Sequence, residues 1–175
     1  MNAVPYDSAG RQLMANGNTL AYDAENRQTS VTSPGSTGGG TETYAYDGNG
    51  HRVEKSGPGG TTVCVYDAFG QLAAEYATAL PNTPPCTTCY ISADHLGSVR
   101  LVTDQTGNVV SRHDYLPFGE EIAGNAPGRN SQFGATDNLS QRFTGKERDG
   151  ESGLDYFGTR YYGSTLGRFT RSILT

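Results

Sequence analysis

Asp94-His95-Leu96-Gly97-Ser98-Val99-Arg100-Leu101-Val102-Thr103-Asp104-Gln105-Thr106-Gly107-Asn108-Val109-Val110-Ser111-Arg112-His113-Asp114-Tyr115-Leu116-Pro117-Phe118-Gly119-Glu120 is the stretch that decides the fold. It reads as a β-hairpin with a following turn. Val99, Leu101 and Val110 bring β-branched and apolar side chains, alternating at Val99-Arg100-Leu101, as a half-buried strand does. The break at Asp104-Gln105-Thr106-Gly107-Asn108 carries the Asp and Gly of a tight reversal, because Gly takes positive φ without strain. Leu116-Pro117-Phe118-Gly119 ends the second strand, since proline has no N–H for a ladder.

Upstream, the chain repeats itself. Tyr6-Asp7, Tyr22-Asp23, Tyr46-Asp47 and Tyr66-Asp67 recur at intervals of 16, 24 and 20 residues. Each opens a Tyr-Asp-x-x-Gly unit or a close variant, as in Tyr46-Asp47-Gly48-Asn49-Gly50, with Asn26 in the Gly place of the second. The unit predicts a strand end entering a turn. Tyr supplies a large ring, Asp bonds the backbone two residues on, and Gly or Asn takes the left-handed position. Such short units cannot each close a core, so they predict antiparallel hairpins stacked into one continuous twisted sheet, an all-β fold.

Ser33–Gly40 and Ser56–Gly60 read as hairpin tips, with strands returning over 41–46 and 61–66. Gln71–Leu80 holds good helix formers, but the repeat context favours a strand there. Pro81-Asn82-Thr83-Pro84-Pro85 predicts an extended linker, and 124–138 is the longest loop. The expected division is 1–93 for the repeats with their Pro/Cys linker and 94–175 for a second block, within one continuous domain.

Composition agrees with strands. The 175 residues include 24 Gly, 11 Tyr and no Trp, with 34% apolar residues. A net charge of −5 argues against a nucleic-acid partner. Residues 141–175 hold six Lys/Arg against four Asp/Glu, or +2, which leaves −7 for residues 1–140. No run approaches the roughly 18 apolar residues of a membrane span, and the first residues lack the pattern of an export signal.

The spelling of two blocks resembles the Rhs (YD-repeat) family and its repeat-associated core. The first runs from Asp94, His95, Gly97 and Ser98 through Tyr115 to Pro117, Phe118 and Gly119. The second is Phe143-Thr144-Gly145-Lys146-Glu147, Gly153-Leu154-Asp155-Tyr156-Phe157, Arg160-Tyr161-Tyr162 and Leu166-Gly167-Arg168-Phe169. With the Tyr-Asp units, the resemblance covers essentially the whole chain. It implies a large hollow β-shell closed at one end by the core block, enclosing a toxin that is released by aspartate-dependent self-cleavage. The chain departs from that pattern after Phe169, where it reads Thr170-Arg171-Ser172, and at Gly163-Ser164, where the family carries Asp-Pro. Self-cleavage is therefore assigned to no residue here.

Cys86-Thr87-Thr88-Cys89 allows half a zinc site, a redox pair or a small disulfide ring. Two further zinc ligands are hard to find among Cys64 and the histidines, and Pro84-Pro85 offers no helix start for a redox pair. In an exported protein, as the resemblance implies, Cys86 and Cys89 are candidates for a local disulfide, and Cys64 reads as a buried strand thiol. His95 beside Asp94 lacks the setting of a hydrolase elbow or a metalloprotease helix and reads as structural. His51 and His113 read as lone residues at polar strand ends. Paired rings such as Tyr161-Tyr162 read as cross-strand packing.

The resulting expectation is a non-enzymatic structural protein without cofactor or metal. It would associate with itself through open sheet edges into a homo-oligomer or filament, secreted or at the cell surface. The alternatives are a core fragment of a polymorphic toxin shell, with a toxin cargo or a longer Rhs chain as partner, and a surface adhesion or carbohydrate-binding module.

Overall fold

The computed structural model describes residues 4–35, 39–70, 72–78, 86–133, 137 and 139–171. The proline linker at 81–85 lies outside them, as does the tail from Ser172. The fold is all-β and antiparallel throughout its named strands. The first seven strands, β1 (Met14–Ala15), β2 (Asn18–Tyr22), β3 (Gln28–Thr32), β4 (Thr41–Tyr46), β5 (Arg52–Gly57), β6 (Gly60–Tyr66) and β7 (Leu72–Ala77), form one ladder in chain order. Beyond β7 the strands form two further sheets. One holds β8 (Tyr90–Ala93), β9 (Val99–Thr103) and β10 (Val109–Arg112), and the other β11 (Glu147–Arg148), β12 (Asp155–Tyr156), β13 (Tyr161–Gly163) and β14 (Arg168–Phe169). The expected continuous sheet is thus realised over β1–β7. The segment between β7 and β8 carries three prolines, Pro81, Pro84 and Pro85, which cannot donate to a ladder.

One turn, repeated, makes the hairpins. Asp23 Oδ1 accepts from the backbone N–H of Glu25 and of Arg27, at 2.9 and 2.8 Å. Asp7, Asp47, Asp94 and Asp104 bond the residues two and four positions on in the same way. The third residue after each aspartate is left-handed, which Gly50 (φ 84°) and Asn26 (φ 63°) both accommodate. These bonds hold the carboxyls of Asp7, Asp23, Asp47, Asp94 and Asp104 below the usual aspartate range, against the opposing effect of partial burial. Register shifts follow the turns. The ladder skips one residue between Ala21 and Tyr22, Ala45 and Tyr46, and Val65 and Tyr66, and each bulge sharpens the local twist.

Successive turns are tied together by their tyrosines. The hydroxyls of Tyr22, Tyr46 and Tyr66 donate to the carbonyls of Gln12, Gln28 and Arg52 at 2.9, 2.6 and 3.0 Å. On the same rings sit the last residues of the preceding turns. Arg11 lies 5.5 Å from the Tyr22 centroid, Arg27 5.3 Å from that of Tyr46, and His51 stacks on Tyr66 at 4.7 Å. The inner face of the sheet carries Leu20, Val31 and Tyr44, and it packs against Leu154, Tyr156 and Tyr161 to form the core. The repeats therefore bury their apolar face against the second block.

Candidate functional site

The contact between the repeat sheet and the second block is where the chemistry concentrates. Arg52, the first residue of β5, is 1% exposed and Asp149 is fully buried. The Arg52 guanidinium donates to Asp149 Oδ1 at 2.9 Å and to the Tyr161 hydroxyl at 2.9 Å, and it pairs with Glu147. It lies between the rings of Tyr156 and Tyr44, 4.5 and 5.1 Å from their centroids. Its backbone N–H donates to the Tyr156 hydroxyl at 2.9 Å. Beside it, Lys55 Nζ meets Glu151 Oε2 at 2.7 Å, and the Tyr44 hydroxyl donates to Glu151 Oε1 at 2.6 Å. Asn16 and Asn18 donate to the carbonyls of Ser152 and Glu151. Burial and the nearby carboxylates raise the Tyr44 and Tyr161 phenols well above their usual value. Burial also pushes the Asp149 carboxyl upward against the pull of Arg52. A buried charge is tolerated when paired and hydrogen-bonded, as here.

A second polar cluster lies under the turn at 116–120. His113 is 1% exposed, with Nδ1 at 2.6 Å from Glu121 and Nε2 at 2.7 Å from Asp137. Ser111 Oγ donates to Asp137 Oδ2 at 2.6 Å, and Arg142 reaches Asp137 Oδ1 at 2.8 Å. The reading of His113 as a lone residue at a polar strand end is corrected here. Its carboxylate partners lie 8 and 24 residues away, so nothing beside it in sequence announces them.

The remaining motif residues make contacts within the fold. Gly97 and Gly145 bring two backbones together, with Thr144 N–H donating to Ser98 Oγ at 3.0 Å. His95 is exposed on the Asp94 turn. Pro117 and Phe118 stand at the surface, where the Tyr162 hydroxyl donates to the Phe118 carbonyl at 3.0 Å. Gly119 seats against the Phe143 ring, and Gly167 against Phe118. Arg148 grips Asp155 with two bonds of 2.8 and 3.0 Å and also donates to the Gly119 carbonyl. Arg160 stacks on Phe169 at 3.7 Å, and Arg168 on Tyr6 at 5.6 Å. The Cys86 and Cys89 sulfurs are bonded to each other, and Cys64 is a buried thiol that desolvation pushes up to about 11. An open groove of about 540 Å³ is lined by Gly70 and Leu72 of the last repeat and by Lys146 and Glu147, with His51 and Tyr66 also on its wall.

No family model matches the chain. It is 30% identical to the toxin subunit YenC1 of Yersinia entomophaga over 202 aligned positions, spanning 94% of this chain and 20% of that protein. It is 27% identical to the tRNA nuclease WapA of Bacillus subtilis, spanning 95% of this chain and 8% of the relative. The Photorhabdus luminescens Tc holotoxin pore shares its fold at a TM-score of 0.67 and 21% identity, over 97% of this chain and 9% of that one. A TcdB2–TccC3 crystal structure does so at 0.65 and 23%, over 95% and 10%. The chain thus spans a fifth or less of the curated relatives named here. The fold is all-β, and the relatives named here are a toxin subunit and a tRNA nuclease. They support an Rhs-related family.

The expectation of a non-enzymatic protein is corrected by the same comparison. Three relatives that align with 95% of the chain, at 27–28% identity, are named as tRNA nucleases.

Proposed function

We propose that this chain is a wall and end-block segment of a larger, secreted, toxin-associated shell of Rhs type, in a protein whose toxic action is enzymatic. Strands β1–β7 supply the wall, and the two sheets that follow, β8–β10 and β11–β14, belong to the block joined to it. The observation that carries this reading is the likeness to Tc toxin structures over 95–97% of the chain, which covers 9–10% of those much longer chains. The buried Arg52–Asp149 contact suits the role, because a shell must keep its closing block attached to its wall.

The test is to image the full-length natural protein that carries this sequence and to digest it with a protease. The expected outcome is a closed hollow particle with a protease-resistant interior fragment. A solid particle, or an open fibre whose whole chain is digested, overturns the reading.

A second reading, self-association, has a specific observation in its favour. Among the described residues the outer edge of β7 has no strand partner, and β7 carries no Lys or Pro guard. Tyr76 stands 66% exposed on it beside Val63 of β6. Unguarded edges of this kind accept further strands. Light scattering of the chain at rising concentration separates the readings, since only self-association raises the mass.

A further inference from the structure

His113 follows β10 directly, and each of its ring nitrogens faces a carboxylate. Nδ1 lies 2.6 Å from Glu121 Oε1, and Nε2 lies 2.7 Å from Asp137 Oδ2. An ionised carboxylate accepts hydrogen bonds and donates none. Both contacts are hydrogen bonds only if both nitrogens carry protons, so the geometry fits the imidazolium. A neutral ring would turn a bare lone pair toward one of the two carboxylates.

The surrounding charges balance that form. Arg142 contributes a positive charge, 2.8 Å from Asp137 Oδ1 and 3.9 Å from Glu121 Oε2, and Arg148 stands 4.0 Å from Glu121 Oε2. Ser111 Oγ, 3.0 Å from Nε2, donates to Asp137. The neighbouring Asp114 is occupied by Arg100 and Arg129, and the buried Tyr115 hydroxyl has no hydrogen-bond partner among the described residues.

Glu121 adjoins residues 122–133, whose far end, Gln132–Phe133, meets the last residue of β10. Arg112 N–H donates to the Gln132 carbonyl at 2.8 Å, and Arg112 pairs with Phe133 in a parallel bridge. Arg129 lies 4.0 Å from the Phe133 centroid and bonds Asp114. Ile122 N–H donates to the Asp114 carbonyl at 2.8 Å. One imidazole therefore meets a carboxylate on either side, in sequence, of the stretch that pairs with Arg112.

We propose that His113 is a protonation-operated latch: charged, it holds residues 121–133 against Arg112 at the end of β10, and neutral, it releases them and bares that end of the strand edge. The sign follows from the partners. Burial pulls the His113 pKa down, but the hydrogen bonds to Asp137 and Glu121 outweigh it and leave the pKa above the ordinary 6.5. The latch is fully closed below 6.5 and opens as pH rises from there through the raised value. On the acid side, burial raises the Glu121 and Asp137 carboxyls, but their bonds to His113 outweigh it, so both stay ionised below their ordinary range. An uncovered strand edge is a template for pairing with another strand. The latch stands whether or not the shell reading does.

The experiment follows the His113 ring by ¹⁵N NMR and the Arg112 and Ile122 amides by hydrogen exchange, in the full chain, from pH 5 to 10. The expected result is a doubly protonated ring at pH 6. Protection at Arg112 and Ile122 should then fall about tenfold per pH unit between 6.5 and the raised pKa, while Val31 in the seven-stranded sheet holds its protection. His113→Gln should give low protection at Arg112 at every pH. Should that variant not fold, Glu121→Gln should move the loss of protection to lower pH. A singly protonated ring at pH 6, Arg112 protection that ignores the His113 titration, or an unmoved midpoint in Glu121→Gln overturns the latch.

Discussion

The repeat ladder and the block that follows it are held by contacts of opposite reach. In the ladder, Asp23 closes its own turn on Arg27, four residues on, and Tyr46 reaches Gln28, 18 residues back. In the block, the decisive partners come from far away: Arg52 meets Asp149 across 97 residues and Tyr44 meets Glu151 across 107. Local contacts form a turn wherever the short pattern is spelled. Distant ones specify a single arrangement of wall and block, and they fail together. Arg52→Ala should therefore cost about 3–5 kcal/mol, because it strands the buried Asp149 charge, read as a lower urea midpoint. Arg27→Ala, which removes an arginine from a repeat turn, should cost much less. Equal losses would break the comparison.

The next effect is the dependence on pH that the His113 cluster gives the block. His113 has a raised pKa, so its contribution is whole below 6.5 and is lost as pH rises through the raised value. Glu121 and Asp137 are depressed, so theirs is lost only as pH falls below the carboxylate range. Thermal unfolding of the chain should show a stability plateau between those limits, and His113→Gln should remove its alkaline shoulder. An alkaline shoulder that survives in His113→Gln would place the titrating group elsewhere, in the ladder or among the tyrosines.

Glycine substitutions sharpen the contrast further, since the same turn shape occurs in both regions. Gly50 and Gly119 have φ of 84° and 85°. A Cβ at Gly50 meets nothing within 4 Å, whereas at Gly119 it would lie 2.5 Å from the Phe143 ring. Gly50→Ala should cost only the backbone strain, about 1 kcal/mol. Gly119→Ala adds overpacking and should cost about 2–4 kcal/mol in urea unfolding. Matching values would mean that the Phe143 ring simply moves aside.

This division also explains what could be read from sequence. The turns were legible because Asp, the left-handed Gly or Asn, and the following strand lie within a few residues of each other. The Asp94–Gly97 and Asp104–Gly107 turns follow the same rule as the Tyr-Asp units. The interlock was not legible. Arg142, Arg148, Arg160 and Arg168 stand near Glu147, Asp149, Glu151 and Asp155 in sequence, which suggests paired charges or aromatic stacking. Arg148 pairs with Asp155, and Arg160 and Arg168 stack on Phe169 and Tyr6. Asp149 and Glu151 are instead engaged by Arg52 and Lys55 from the repeats, and Arg142 turns to Asp137. The signal for this was Arg52 itself: it stands six residues after Tyr46, where the earlier units carry Gln12 and Gln28, and all three positions are buried.

The smallest expected effect tests the ladder by itself. Tyr46→Phe removes one hydroxyl that donates to the Gln28 carbonyl at 2.6 Å and keeps the ring beneath Arg27. The loss should be about 1 kcal/mol, the net worth of one such hydrogen bond. Tyr22 makes the same bond to a different carbonyl, that of Gln12, so Tyr22→Phe should cost a similar amount. The double variant should then lose the sum to within about 0.5 kcal/mol, measured by urea denaturation with an unchanged slope. A double loss well above the sum would mean that neighbouring turns support each other beyond their shared tyrosine bond. The ladder would then resemble the block in depending on cooperation at a distance, and the contrast between the two regions would narrow to the reach of their contacts.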